Sequence, residues 1–255
     1  MTLPPEILGK ILEHIPTDGA EGRRTLIACA LVATCWKGPS QQRLFSSVSI
    51  DGEGNYRRWV DVRSGPKTHL LGYIRSLAYR RHDPRTGIKN RMQDLAQDSG
   101  GYLSALCNLR SLSLGNIRVE HIGEEGFRVC FSAFRETLTF LLLQSPDTSF
   151  SAFVTLIDYF PNITTLVFAY SPVIEPDQGP VPSLSRPLRG KIQIHDAKAD
   201  CLEFFNRFAK LDLEYEEMVI STYAHLLETK ILESVLRIST STVKFLRLVG
   251  ELHRE

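Results

Sequence analysis

Histidine, cysteine and carboxylate side chains would do the chemistry here, so their spacing is the first thing to read. The seven histidines, at 14, 69, 82, 121, 195, 225 and 253, are scattered. None forms an H-x-x-x-H or H-E-x-x-H pattern, and no cysteine lies at ligand spacing from them. The five cysteines, Cys29, Cys35, Cys107, Cys130 and Cys201, are odd in number and contain no C-x-x-C pair. They read as small buried hydrophobes in a reducing compartment. There is no G-x-S-x-G elbow and no P-loop. The acidic run "DLEYEEM" around Glu214–Glu217 reads as a solvated repeat edge rather than a catalytic carboxylate pair. "YRRHDPR", Tyr79–Arg85, is the densest basic patch, but one aromatic without interleaving reads as a solvated turn rather than a nucleic-acid contact. The expectation is a protein with no catalytic residue, no cofactor and no metal. An α/β enzyme with a site dispersed over distant loops is the alternative.

Composition bounds the partners. A chain of 255 residues with 43% hydrophobic and 23% charged residues can bury a sizeable core. A net charge of +1 supplies no global field toward nucleic acid or anionic membrane. Nothing resembles a signal peptide, and "TLIACALVATCW" is too short to span a bilayer. The expected location is cytoplasmic and/or nuclear. The sequon at Asn162 carries no weight in such a compartment.

The elements that would position a site fall into two rhythms. Residues 1–50 read as three helices and an exit strand. Thr2 is a candidate N-cap, Pro4 and Pro5 fit a first turn, and Glu6 suits the positive helix end. Ile7, Leu8, Ile11, Leu12 and Ile15 follow at helical spacing, and Pro16–Gly19 stops the helix. A second helix from Arg24 to Cys35 is apolar nearly all round, so it should be enclosed. Gly38-Pro39 is expected to break it and start a short third helix ending near Leu44-Phe45. "SSVSI" then reads as a strand.

Residues 51–255 carry copies of L-x-x-L-x-L: "IRSLAY", "LRSLSL", "LTFLLL", "ITTLVF", "FAKLDL" and "VKFLRL", with "RGKIQI" a weaker one. Their central positions step by 35, 29, 25, 26, 19 and 35 residues. Several steps fall near the leucine-rich-repeat period of roughly 20–29. Helical stretches separate the copies, at Phe150–Phe160, Ala197–Ala209 and Thr222–Ile238. The fold class expected is α/β, an irregular leucine-rich-repeat-like solenoid with a parallel sheet. A doubly wound sheet is the competing architecture, but its glycine fingerprint is missing. The Pro-rich segment 171–190 must be a loop, and it reads as mobile.

The first segment resembles an F-box. "LPPEILGKILEHIP" and "LIACALVATCWKGPSQQRLFSSVSI" place Leu3, Pro4, Glu6, Ile7, Ile11, Trp36, Leu44 and Phe45 on that family's pattern. Ala33 and Thr34 replace its usual Cys and basic residue. The Pro-rich loop ending in "SRPLRGKIQI" is similar to the expanded F-box families of mushroom-forming (basidiomycete) fungi. The resemblance implies a substrate-recognition adaptor of an SCF (cullin–RING) ubiquitin ligase. Its partners would be the Skp adaptor subunit, the cullin and a protein substrate, with no nucleic acid and no membrane. Adaptor-binding residues would be Leu3, Pro4, Ile7, Leu8, Ile11, Leu12 and Trp36, with Leu3, Pro4, Ile7 and part of the Ile11–Leu12 stripe exposed and Trp36 more buried. An N-terminal cap on the repeats and a ligase-independent scaffold are the other readings of the same helices.

In an L-x-x-L-x-L strand the alternate residues line the open face. The substrate-binding candidates are therefore Phe140, Leu142, Val167, Lys191, Gln193, Lys210, Asp212 and Arg247, an apolar centre with a polar flank. The Pro-rich loop is placed to fold over Phe140 and Leu142. "VKFLRLVGELHRE" lacks a polar cap, so exposed apolar surface is expected at Leu246 and Leu248.

Overall fold

The computed structural model describes residues 4–17, 19–51, 55, 58–59, 61–62, 65, 68–80, 103, 105–116, 119, 123–144, 148–169, 179–195, 202–223, 233 and 243–251. Three helices open the chain: α1 Pro5–Glu13, α2 Ala20–Val32 and α3 Thr34–Leu44. Pro5 occupies the first turn of α1, where its missing N–H costs nothing, and Pro4 rather than Thr2 is the N-cap residue. The second boundary differs from the sequence reading. Ala33, extended at φ −156° and ψ 154°, separates α2 from α3, and α3 runs through Gly38 and Pro39. Proline in a helix interior removes a single hydrogen bond, and here the packing of α3 against α1 and α2 outweighs that loss.

Eight strands follow: β1 Ser47–Asp51, β2 Ser76–Arg80, β3 Ser111–Gly115, β4 Phe140–Gln144, β5 Thr165–Ala169, β6 Leu188–His195, β7 Leu213–Tyr223 and β8 Phe245–Glu251. They form one parallel sheet in the order β1 to β8, each strand beside its sequence neighbours. The fold is thus α/β on a single parallel sheet. A doubly wound sheet reverses its strand order at a switch point, and this order contains no reversal.

One row of the register runs Val48, Leu77, Leu112, Leu141, Leu166, Ile192, Met218 and Leu246. Successive rungs are therefore 29, 35, 29, 25, 26, 26 and 28 residues apart. This is more even than the sequence suggested, because one copy was misplaced. "FAKLDL" is not a rung: the central residue of β7 is Met218, not Leu211. A bulge causes the difference. Gly190 pairs with Tyr215 and Lys191 with Glu217, so Glu216 is an extra residue on β7. Burial shifts from Leu213 and Tyr215 to Met218 and Ile220 across it, which breaks the alternation that a period of two requires. The helix expected from Thr222 is likewise strand as far as Tyr223, and the rest of that stretch lies outside the described residues.

Helices α4 Gly123–Phe131, α5 Phe150–Tyr159 and α6 Leu202–Phe208 cross between strands. Together with the loops between strands, they close the core with aromatic rings. Phe127, Phe131, Phe134, Tyr159 and Phe160 touch one another. Phe150, Phe153, Phe204 and Phe208 meet beside Phe168 of β5. Edge-to-face pairs of this kind contribute about 0.5–1.5 kcal/mol each beyond their burial. Neighbouring turns are also stitched by side chains. Asn108 Nδ2 donates to the Gly72 carbonyl at 2.8 Å, Thr137 Oγ1 to that of Leu109 at 2.7 Å, and Asn162 Nδ2 to that of Glu136 at 2.7 Å.

The Pro-rich segment departs from expectation over 179–187. Val181 and Leu184 pack on the core. The Ser185 amide and hydroxyl donate to Asp158 at 2.9 and 2.7 Å, and Arg186 donates to the carbonyls of Phe160 and Pro161. This half is therefore fastened beside α5, not over Phe140 and Leu142. Residues 171–178 lie outside the described residues. At the far end Leu246 and Leu248, on the core side of β8, are 43% and 54% exposed. Among the described residues no helix is long and apolar enough to cross a membrane.

Candidate interaction surfaces

Two surfaces collect the predicted residues. The first is helical. On α1, Leu8 and Leu12 are buried at 1% exposure, whereas Ile7 and Ile11, one turn apart, are 43% and 42% exposed. On α2 only Gly22 and Leu26 are buried, and Ile27, Leu31 and Val32 are 52%, 81% and 76% exposed. The expectation that α2 is enclosed is thus incorrect: one side rests on α3 and the other meets solvent. Leu8 and Leu12 belong to the interior of the segment and are not available to a partner. Pro4 is exposed, Trp36 is half-buried on α3 rather than fully enclosed, and Leu3 lies outside the described residues. Ile27, Leu31 and Val32 were not singled out from the sequence, where an all-round apolar helix looks like core.

The second surface is the face of the sheet opposite the aromatic layer. Its rows are set by the register. One holds Ser47, Ser76, Ser111, Phe140, Thr165, Lys191, Glu217 and Phe245, and the next Ser49, Ala78, Ser113, Leu142, Val167, Gln193, Val219 and Arg247. Six of the eight substrate candidates lie here side by side: Phe140, Leu142, Val167, Lys191, Gln193 and Arg247. Lys210 and Asp212 do not, because they precede β7, and Glu217 and Val219 take their places. Val167 is only 2% exposed, with Leu142 and Gln193 beside it in register.

Charge is distributed unevenly along this face. Lys191 Nζ meets Glu217 at 2.8 Å, Arg189 meets Glu214 at 2.7 Å and Lys244 meets Glu216 at 2.9 Å. The acidic run of β7 is thus consumed in cross-strand pairs, not presented as a carboxylate pair. Exposed pairs of this kind contribute about 0–1 kcal/mol each.

His195 Nδ1 and Ser221 Oγ lie 2.5 Å apart on adjacent strands, with Gln193 Oε1 at 3.4 Å from the other ring nitrogen. A neutral amide cannot stabilise an imidazolium as a carboxylate does, and the parallel ladder takes up the nearby strand amides. The pair therefore reads as part of a polar row. Among the described residues no three His, Cys, Asp or Glu side chains gather as metal ligands.

Two of the concavities among the described residues lie beside the repeats. A cleft of about 730 Å³ lies between α4, α5 and the Pro-rich segment, lined by Arg128, Arg135, Asp158 and Tyr159 among others. Arg135 stacks its guanidinium 5.3 Å from the Tyr159 ring centre and donates to the Tyr159 carbonyl. A smaller cavity of about 280 Å³ separates α3 from the first rungs, beside Trp59. Compared with known proteins, the chain matches no family model and no curated protein.

Proposed function

We propose that this protein is a substrate-recognition adaptor of an SCF ubiquitin ligase: an N-terminal F-box that docks the Skp subunit, followed by an irregular leucine-rich-repeat-like solenoid that presents a protein substrate. The observation that carries the reading is the exposed apolar side chains of Ile7 and Ile11 on α1 and of Ile27, Leu31 and Val32 on α2, helices whose other sides are buried. Exposed apolar patches mark partner sites, and burying the most exposed of these side chains, Leu31 and Val32, is worth about 1.5–3 kcal/mol each. The motif resemblance at Leu3, Pro4, Glu6, Ile7 and Trp36 names the partner. The sequential strand order and the rung spacing support the solenoid.

The test is co-purification of the full chain with the Skp subunit and cullin. Wild type should capture both. Ile27→Ser with Leu31→Ser should abolish capture while leaving thermal stability unchanged. Equal capture by wild type and this double variant, or none by wild type, would refute the docking face. Capture of Skp without cullin would point instead to a scaffold acting outside the ligase.

A further inference from the structure

We infer that the open face of the first three rungs, with the arginine edge beside it, binds an extended acidic segment of a protein partner. The inference rests on the proposal that this face receives the substrate, and it names the chemistry that the substrate must carry.

The observation is a charge imbalance inside one sheet. In β6–β8 three of the cations named above face a carboxylate, and Arg247 alone lacks one. In the first rungs the pattern reverses. Arg75 and Arg110 are exposed at the N-terminal edge of β2 and β3, and Arg80 is exposed at the C-terminal end of β2. Among the described residues none of the three has an ion pair. Arg75 and Arg110 are immediate neighbours, because the Arg110 amide donates to the Arg75 carbonyl at 2.8 Å. Two like charges one strand apart repel, so a bound anion relieves a cost already present in the free protein.

Arg80 is held, not merely solvated. Its stem lies across Gly115 on the next strand: a β-carbon at Gly115 would sit 2.8 Å from the Arg80 Cγ. The carboxylate opposite in register, Asp51, accepts instead from Asn55. A side chain already restrained loses less freedom on binding.

Between the two arginine positions lies a hydroxyl field, Ser47, Ser49, Ser76, Ser111 and Ser113, which can donate to carbonyl or carboxylate oxygens. Arg75 and Arg80 are five residues apart on an extended chain, roughly 17 Å at ~3.3 Å per residue. Arg80 shares the parity of Ser76 and Ala78, while Arg75 precedes the strand at its edge, so an extended peptide laid along β2 meets one cation near each of its ends. Phe140 and Leu142, on the next rung, supply apolar contact beside it.

The experiment is selection of random twelve-residue peptides displayed on phage against the immobilised full chain, followed by fluorescence anisotropy with the synthetic winners. The expected winners are enriched in Asp and Glu. Arg75→Gln, Arg80→Gln and Arg110→Gln combined should weaken them at least about tenfold, as should raising the salt to ~0.5 M. Replacing their acids with Asn and Gln should do the same. The triple variant must still capture the Skp subunit, which separates failure of this inference from failure of the docking face. Winners without an acidic excess, acidic winners that bind the triple variant equally, or displacement by single-stranded RNA at lower concentration than by the peptide would overturn it.

Discussion

Gly190 is where the structure makes its sharpest energetic demand. The residue sits at the bulge between β6 and β7 with φ +100°, a conformation that L side chains rarely adopt. A β-carbon there would lie 2.2 Å from the Thr164 carbonyl oxygen and 3.0 Å from its carbon. That oxygen accepts the Lys191 amide at 2.8 Å, so it cannot retreat without giving up a rung contact. Gly190→Ala therefore carries two costs. The backbone conformation costs about 1–2 kcal/mol, and the forced separation of β5 and β6 costs a further 1–3 kcal/mol or so. The sum, about 2–5 kcal/mol, should move a urea midpoint by roughly 1–2 M. Circular dichroism through a urea titration would read it, and hydrogen exchange should show β6 and β7 losing protection first. Gly9→Ala is the control. Nothing lies within 4 Å of its β-carbon, and it is on a helix, so it should gain about 0.5–1 kcal/mol. A Gly190→Ala loss below about 0.5 kcal/mol, or an equal loss at Gly9, would refute the reasoning.

Other outcomes follow from the packing and the surfaces. Phe153→Ala, which removes a ring 1% exposed among Phe150, Phe168, Phe204 and Phe208, should cost about 3–5 kcal/mol in the same titration. Maleimide should label exposed Cys35 and Cys107 in the native protein and spare Cys130 until unfolding, as read by mass spectrometry. Burial pushes the Cys130 thiol from 9.0 up to about 11 and raises Tyr215 as well. The unfolded chain then ionises first, so stability should hold below pH 9 and fall as pH rises toward 11; an unchanged urea midpoint over that range would contradict the burial of both groups. Phe140→Ala with Leu142→Ala should abolish substrate capture in a pull-down while leaving Skp capture intact, and loss of both or neither would reject this face.

Much of the sheet was legible because a buried strand in a repeat leaves a dense trace. Leu77, Leu112, Leu141, Leu166, Ile192 and Leu246 were all placed correctly from L-x-x-L-x-L. Rung seven was missed for a physical reason: the extra Glu216 shifts the buried parity in mid-strand, while Leu211 and Leu213 mimic the motif in the approach to it. The helical surface was half legible. Ile7 and Ile11 stand out on an amphipathic helix. Ile27, Leu31 and Val32 do not, because an apolar face left in water and one made for a core have the same composition. Proline content marked 179–187 as loop, yet composition says nothing of the hydrogen bonds from Ser185 and Arg186 that fix it. The unpaired arginines needed three dimensions, since only the register reveals which cations have a carboxylate opposite.

The sequential order of the strands has a consequence for how the chain is made. Every strand pairs with the one synthesised just before it, so each new rung finds its template already outside the ribosome. At ~5–20 residues per second, a rung of 25 to 35 residues emerges every few seconds, ample time for local pairing. A sheet whose first strand lies in the middle must hold apolar edges open until later strands arrive. This one exposes a single growing edge at a time, and among the described residues β8 carries it, with Leu246 and Leu248 facing water.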